Sequence, residues 1–168
     1  MFNVGILTAS DKGARGERQD KSAEAIRAGL AALDCRVVKY EVVPDESRII
    51  ADKLAGWADE GRVDVILTTG GTGLSQRDVT PEATLSIVER VVPGIAEAMR
   101  VQTLAKTPFA MLSRAVAGVR GRCLIVNLPG SPKAVQECLE VILPAVPHAV
   151  QIIKGEVTEH VASGGGKD

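Results

Sequence analysis

The sequence predicts an open α/β fold, and three observations lead there. Apolar runs of strand length recur at Phe2–Ala9, Cys35–Val43, Asp64–Thr69 and Cys123–Leu128. Between them lie stretches whose apolar residues fall at helical spacing. Two of the runs end in glycine turns directly ahead of a helix start, which sets bare backbone N–H groups at the carboxyl edge of a sheet, where open α/β sheets bind ligands. At 168 residues the chain is expected to form one domain with a sizeable core.

Phe2–Ala9 reads as the first strand. It feeds a polar loop in which Ser10 and Asp11 either face a ligand or hydrogen-bond their own backbone. Asp20-Lys21-Ser22 opens a helix carrying Ala25, Ile26, Ala28, Leu30 and Leu33. Cys35–Val43 is the second strand, followed by Pro44-Asp45-Glu46 and a helix through Ile49, Ile50, Leu54 and Trp57. Asp45 reads either as the N-cap of that helix or as a carboxylate at the binding edge. The third strand breaks into Gly70-Gly71-Thr72-Gly73, then Arg77, Asp78 and Thr80-Pro81, the last pair having the form of an N-cap and a first-turn proline.

The helix from Pro81 is expected to carry Leu85, Ile87 and Val88 and to stop at Val92-Pro93-Gly94. A second helix covers Ile95–Lys106 and ends at Thr107-Pro108. Phe109–Val119 reads as an exposed strand or hairpin interrupted by Ser113-Arg114, or else those two residues reach a phosphate. Gly121 turns the chain into the strand ending at Leu128, which breaks at Pro129-Gly130-Ser131-Pro132-Lys133 ahead of a helix at Ala134–Leu143. Pro144–Lys154 is the last helix, and the polar segment 156–168 is expected to be a flexible tail beyond a domain spanning 1–155.

Composition excludes several classes. A formal net charge of −1 gives no basic excess for nucleic acid. Four aromatics, Phe2, Tyr40, Trp57 and Phe109, are too few for a base-stacking platform. Cys35, Cys123 and Cys138 form no paired spacing, which fits a reducing compartment. Met1 leads straight into strand-like sequence with no secretory signal, and no apolar run approaches the roughly 20 residues of a membrane span, so a soluble cytoplasmic protein is expected.

The histidines, His148 and His160, lie far along the chain from both glycine junctions, so histidine-based catalysis and zinc are poor fits. Carboxylates, hydroxyls, Arg/Lys and backbone amides remain. That set suits phosphate chemistry, in which a hard cation offsets charge and the protein positions the groups. An attacking phosphate is already anionic near neutral pH and needs no protein base. The GGTG turn matches neither a Walker A loop nor the dinucleotide fingerprint.

The segments TTGGTG (68–73), RDVTPEAT (77–84), PG (93–94), TPFAMLSR (107–114) and NLPGSPKAV (127–135), with VPDE (43–46) upstream, together resemble the MogA/MoaB family of molybdenum-cofactor biosynthesis proteins from about Phe2 to Lys154. The resemblance implies a three-layer, doubly wound, mostly parallel sheet with helices on both faces, assembled as a homotrimer. It implies adenylyl transfer from Mg-ATP to molybdopterin, or, in a MoaB-type member, molybdopterin binding alone. Asp45 and Asp78 then stand as the catalytic, Mg²⁺-holding carboxylates. Ser10, Gly70, Gly71, Thr72, Gly73, Pro129, Gly130 and Ser131 stand as nucleotide and phosphate contacts, and Thr80, Ser113 and Arg114 as molybdopterin contacts. Hand-over to a molybdate-insertion protein is a further implication.

Overall fold

Uninterrupted apolar runs make strands that are buried on both faces, and such strands occupy the middle of a sheet. A computed structural model describes residues 1–156 and shows six strands: β1 (Phe2–Ala9), β2 (Cys35–Val43), β3 (Val65–Thr69), β4 (Arg90–Val91), β5 (Ala117–Arg120) and β6 (Cys123–Leu128). Their order is β2-β1-β3-β6-β5-β4. β2, β1, β3 and β6 run parallel, while β5 and β4 add an antiparallel edge.

Side chains alternate between the two faces with the period of 2 that a strand imposes. Val4, Ile6, Leu67 and Val126 enter one core, shared with α2 (Lys21–Leu30), α5 (Pro93–Leu104), α6 (Pro132–Ile142) and α7 (Val146–Lys154). Leu7, Ile66 and Ile125 enter the other, against Ile50, Leu54 and Trp57 of α3 (Ser47–Asp59) and Ala83 of α4 (Thr80–Leu85). The result is the expected three-layer, doubly wound arrangement. The first crossover carries the chain outward from β1 to β2, and the next returns past β1 to β3. The loops leaving β1 and β3 therefore part from each other, and that divergence is where such sheets open a ligand crevice. A short helix, α1 (Asp11–Ala14), caps the β1 side of it.

Several local expectations are corrected. The segment expected as one strand or hairpin, 109–119, divides: Pro108–Leu112 forms a 3-10 turn, an extended link follows, and only Ala117–Arg120 pairs in the sheet. Thr107 drives this, because its hydroxyl accepts from the Phe109 amide at 3.3 Å and starts the turn at Pro108. The helix begun at Thr80 stops at Leu85, and Ile87 and Val88 leave it to pack on the second core. The helix expected to reach Leu33 ends at Leu30. Of the segment 156–168, residues 157–168 lie outside the described residues, as does His160.

One buried polar residue joins three elements beneath the crevice. Asn127 of β6 has no exposed surface. Its amide nitrogen donates to Thr68 Oγ1 at 3.0 Å and Thr84 Oγ1 at 2.9 Å, and its Oδ1 accepts from the Val116 amide at 3.3 Å. Replacing Asn127 by Leu takes the partner from the buried Thr68 hydroxyl and from the Val116 amide, while Thr84 keeps its bond to the Thr80 carbonyl. Asn127→Leu is expected to lose on the order of 3 kcal/mol of stability, measured as a fall in urea midpoint at unchanged slope.

Candidate active site

The two glycine junctions are neighbours because the strands that feed them are paired, with Thr69 opposite Leu128. Gly70 and Gly71 take left-handed backbone angles, φ 90° and 65°. A Cβ on Gly70 would strike the Ala9 carbonyl, and one on Gly71 would strike the Thr80 hydroxyl. Gly130 brings the second junction so close that a Cβ there would lie 3.4 Å from Gly70 Cα. The Thr69 hydroxyl donates to the Pro129 carbonyl at 2.6 Å and stitches the junctions together.

Within the first turn, four consecutive carbonyls are taken by protein donors. Thr80 Oγ1 donates to Gly70 O at 3.0 Å and the Thr80 amide to Gly71 O at 3.1 Å. The Arg114 amide donates to Thr72 O at 2.9 Å and Arg114 Nε to Gly73 O at 2.7 Å. With its carbonyls turned into the protein, the turn has its N–H groups left to offer a ligand, which is the arrangement that suits an anion.

The two proposed carboxylates are held differently. Asp78 is half-buried, and its Oδ2 accepts from the Ser75 amide at 2.8 Å. Asp45 exchanges hydrogen bonds with Asp11: the Asp11 amide donates to Asp45 Oδ2 at 2.9 Å, and the Asp45 amide donates to Asp11 Oδ1 at 3.0 Å. Arg77 grips Asp11 with Nε at 3.0 Å and Nη2 at 2.8 Å. Burial pushes the Asp45 carboxyl above its ordinary value, with the negative charges of Asp11 and Asp78 adding to the effect. The Arg77 guanidinium holds Asp11 below its own.

Two hollows open at this edge. One, of about 460 Å³, is lined by Ser10, Asp20, Asp45, Gly70, Asp78 and Ser131 among others. The second, of about 630 Å³, is lined by Thr72, Gly73, Asp78, Arg100, Ser113 and Pro129 together with Met99, Phe109 and Leu112. They share Gly71, Asp78, Gly130 and Ser131. His148, on α7, lines neither.

The structure thus brings Ser10, Asp45, Asp78, Ser113, Ser131 and both glycine turns to one rim. Ser10 and Ser131 also cap α1 and α6, accepting from the Gly13 amide at 3.0 Å and the Ala134 amide at 3.2 Å. Three readings change. Asp45 is not the N-cap of α3: Glu46 holds that position without a side-chain bond, and the Asp45 carboxylate serves Asp11 instead. Thr80 is the first residue of α4, not its N-cap; it is fully buried, so it touches the site only through the glycine turn. Arg114 directs its guanidinium to protein acceptors, Gly73 O, Asp78 O and Glu82.

Sequence reading missed Asp20 and Arg100. Asp20 was visible as a helix start, and it does accept from the Ala23 amide at 2.9 Å. Its Oδ2 also accepts from Thr8 Oγ1 at 2.5 Å and from Tyr40 at 2.9 Å. Burial, with that carboxylate beside it, pushes the Tyr40 hydroxyl up to about 12. Arg100 donates to the carbonyls of Ser113 at 3.3 Å and Ala115 at 2.9 Å, a contact between segments that no local motif records.

Comparison with known proteins gives consistent likenesses. Residues 5–148 match the family described as a probable molybdopterin binding domain. The chain is 43% identical over 156 residues to the molybdopterin adenylyltransferase of Helicobacter pylori strain J99, covering 92% of this chain and 89% of the relative. It is 38% identical over 172 residues to the molybdopterin adenylyltransferase of Escherichia coli K12, covering 94% and 88%. A solved structure of the molybdopterin biosynthesis enzyme MoaB from Thermus thermophilus superposes with a TM-score of 0.88 at 59% identity, covering 92% of this chain and 98% of that one.

The raised Asp45 carboxyl fixes the sign of a pH effect. The folded state keeps that proton above the ordinary value of 3.8, so the folded state binds more protons in the window just above it, and stability falls as pH rises through that window. Asp11 acts oppositely: the stability it confers is present above its ordinary value and is lost as pH falls below it. Asp45→Asn keeps an acceptor for the Asp11 amide and removes the desolvated charge. It is expected to melt higher than wild type at neutral pH and to lack the Asp45 part of the fall, read from thermal melts between about pH 3 and 7.

Proposed function

The chain belongs to the molybdopterin-binding domain family, and on that premise we propose that it is a molybdopterin adenylyltransferase acting in molybdenum cofactor biosynthesis. The observation that carries the reading is the meeting of two hollows over Asp78, one polar and walled by the glycine turn, the other walled in part by apolar side chains. The first suits the nucleotide and its phosphates. The second suits a heteroaromatic pterin, with Ser113 and Arg100 among its lining residues.

In this reading the terminal phosphate of molybdopterin attacks the α-phosphorus of ATP in line. A bond forms from the phosphate oxygen to the α-phosphorus, the bond from that phosphorus to the bridging oxygen breaks, and pyrophosphate leaves. The nucleophile is already anionic, which agrees with a rim lined by carboxylates, hydroxyls and amides and not by His148. N–H groups of residues 70–73 hold phosphate oxygens where charge develops. Among the described residues no group of three His, Cys, Asp or Glu side chains could hold a metal. Two carboxylates suffice for Mg²⁺ that arrives with ATP and keeps phosphate and water ligands, so Asp78 and Asp45 fit that role. Bound there, the ion supplies charge neutralisation at the phosphates.

A homotrimer is part of the proposal. Val101 of α5 and Met111 of the following turn are exposed outside the second hollow, and contact between copies would cover them. Cytoplasmic residence agrees with the free thiols of Cys35, Cys123 and Cys138, and among the described residues no helix is long and apolar enough to cross a membrane. Transfer of the product to a molybdate-insertion protein would follow.

The alternative reading is molybdopterin binding without adenylyl transfer. Release of pyrophosphate from Mg-ATP in the presence of molybdopterin decides between them: the enzyme releases it stoichiometrically with adenylyl-molybdopterin, and a binding protein releases none. Asp78→Asn, which keeps an acceptor for the Ser75 amide, is expected to lower turnover by about 10²- to 10³-fold with little change in melting temperature. Wild-type turnover in that variant would remove Asp78 from the mechanism. EDTA in excess is expected to stop the reaction, and Mg²⁺ to restore it.

A further inference from the structure

Arg114 lines neither hollow, yet it bonds to Gly73 and Asp78, which do. Its main-chain amide donates to Thr72 O at 2.9 Å. Its guanidinium donates through Nε to Gly73 O at 2.7 Å, through Nη2 to Asp78 O at 2.5 Å, and through Nη1 to the Glu82 carboxylate in the first turn of α4. Gly73 and Asp78 are the two ends of a six-residue loop, so one planar fork closes that loop on itself. Inside it the Ser75 amide donates to Asp78 Oδ2 at 2.8 Å, and a Cβ on Gly73 would come within 2.9 Å of the same oxygen. The missing side chain at Gly73 leaves the space that Asp78 Oδ2 occupies against the loop backbone. Arg114 is itself bracketed, because Arg100 holds the carbonyls of Ser113 and Ala115 on either side of it.

We propose that Arg114 is a positioning residue: it clamps the loop 73–78 and so fixes the Asp78 carboxylate against the phosphate-binding turn, without touching substrate. This rests on the adenylyl-transfer reading for its kinetic consequence, though not for its structural one. The chemistry calls for arginine. Two carbonyls at the ends of a loop and a carboxylate beyond them are reached together only by a planar group with donors fixed in a fork; lysine offers a single charged point that reaches one or two of them.

The test uses the full chain with Arg114→Lys, which keeps the positive charge, and Arg114→Met, which keeps only the apolar stem. Amide hydrogen exchange is followed without ligand, and pyrophosphate release with Mg-ATP and molybdopterin. In Arg114→Lys the hydrogen-bonded loop amides, those of Ser75 and Asp78, are expected to exchange at least about tenfold faster, with β1 and β6 unchanged. Its kcat is expected to fall by about 10²-fold with KM for both substrates within about threefold of wild type. Arg114→Met is expected to go further in the same direction. Unchanged loop exchange in Arg114→Lys overturns the clamp. A raised KM for molybdopterin at unchanged kcat overturns it too, since that is the mark of direct substrate contact. If wild-type protein releases no pyrophosphate, the adenylyl-transfer reading fails by itself, and the exchange measurement still decides the clamp.

Discussion

Everything at the rim depends on where the carbonyls of residues 70–73 go. A peptide turn carries as many acceptors as donors, and a phosphate repels the acceptors. A loop can present N–H groups to an anion only if its carbonyls are satisfied elsewhere. Here Thr80 takes the first two and Arg114 the last two. Both residues serve the turn from the protein side, through bonds of 2.7 to 3.1 Å. The left-handed glycines follow from the same demand, since a side chain at Gly70 or Gly71 would collide with Ala9 or Thr80 and break the geometry that turns the carbonyls inward.

The two carboxylates illustrate how position is separated from charge. Asp45 is partly desolvated and tied to Asp11, whose own charge is answered by Arg77. Asp78 is held by a loop amide and lies where the hollows meet. Arg77 answers the Asp11 charge, and each of the two acidic side chains is held by a separate backbone amide against their mutual repulsion.

Much of this was legible in the sequence for physical reasons that are local. β1, β3 and β6 are buried on both faces, so apolar residues dominate their sequences and announce them. The glycine turns announce themselves because only glycine takes their backbone angles cheaply. What stayed hidden depends on partners distant in the chain. β4 is two residues long and exists only because Arg90 and Val91 meet Val119 and Gly118. The bond from Asp11 to Asp45 spans 34 positions and that from Arg114 to Gly73 spans 41, so no local pattern records either contact. Thr80 misled in a similar way: a threonine ahead of proline has the form of an N-cap, yet its hydroxyl bonds Gly70, 10 residues back.

The shared floor of the hollows has one more consequence. A molecule long enough to lie in both would tether each of its halves beside the other's binding place, so letting go of one end does not free it. Such a molecule outstays either half taken alone by far more than its extra contacts warrant. A molecule that spans both hollows therefore leaves only when both of its ends let go together.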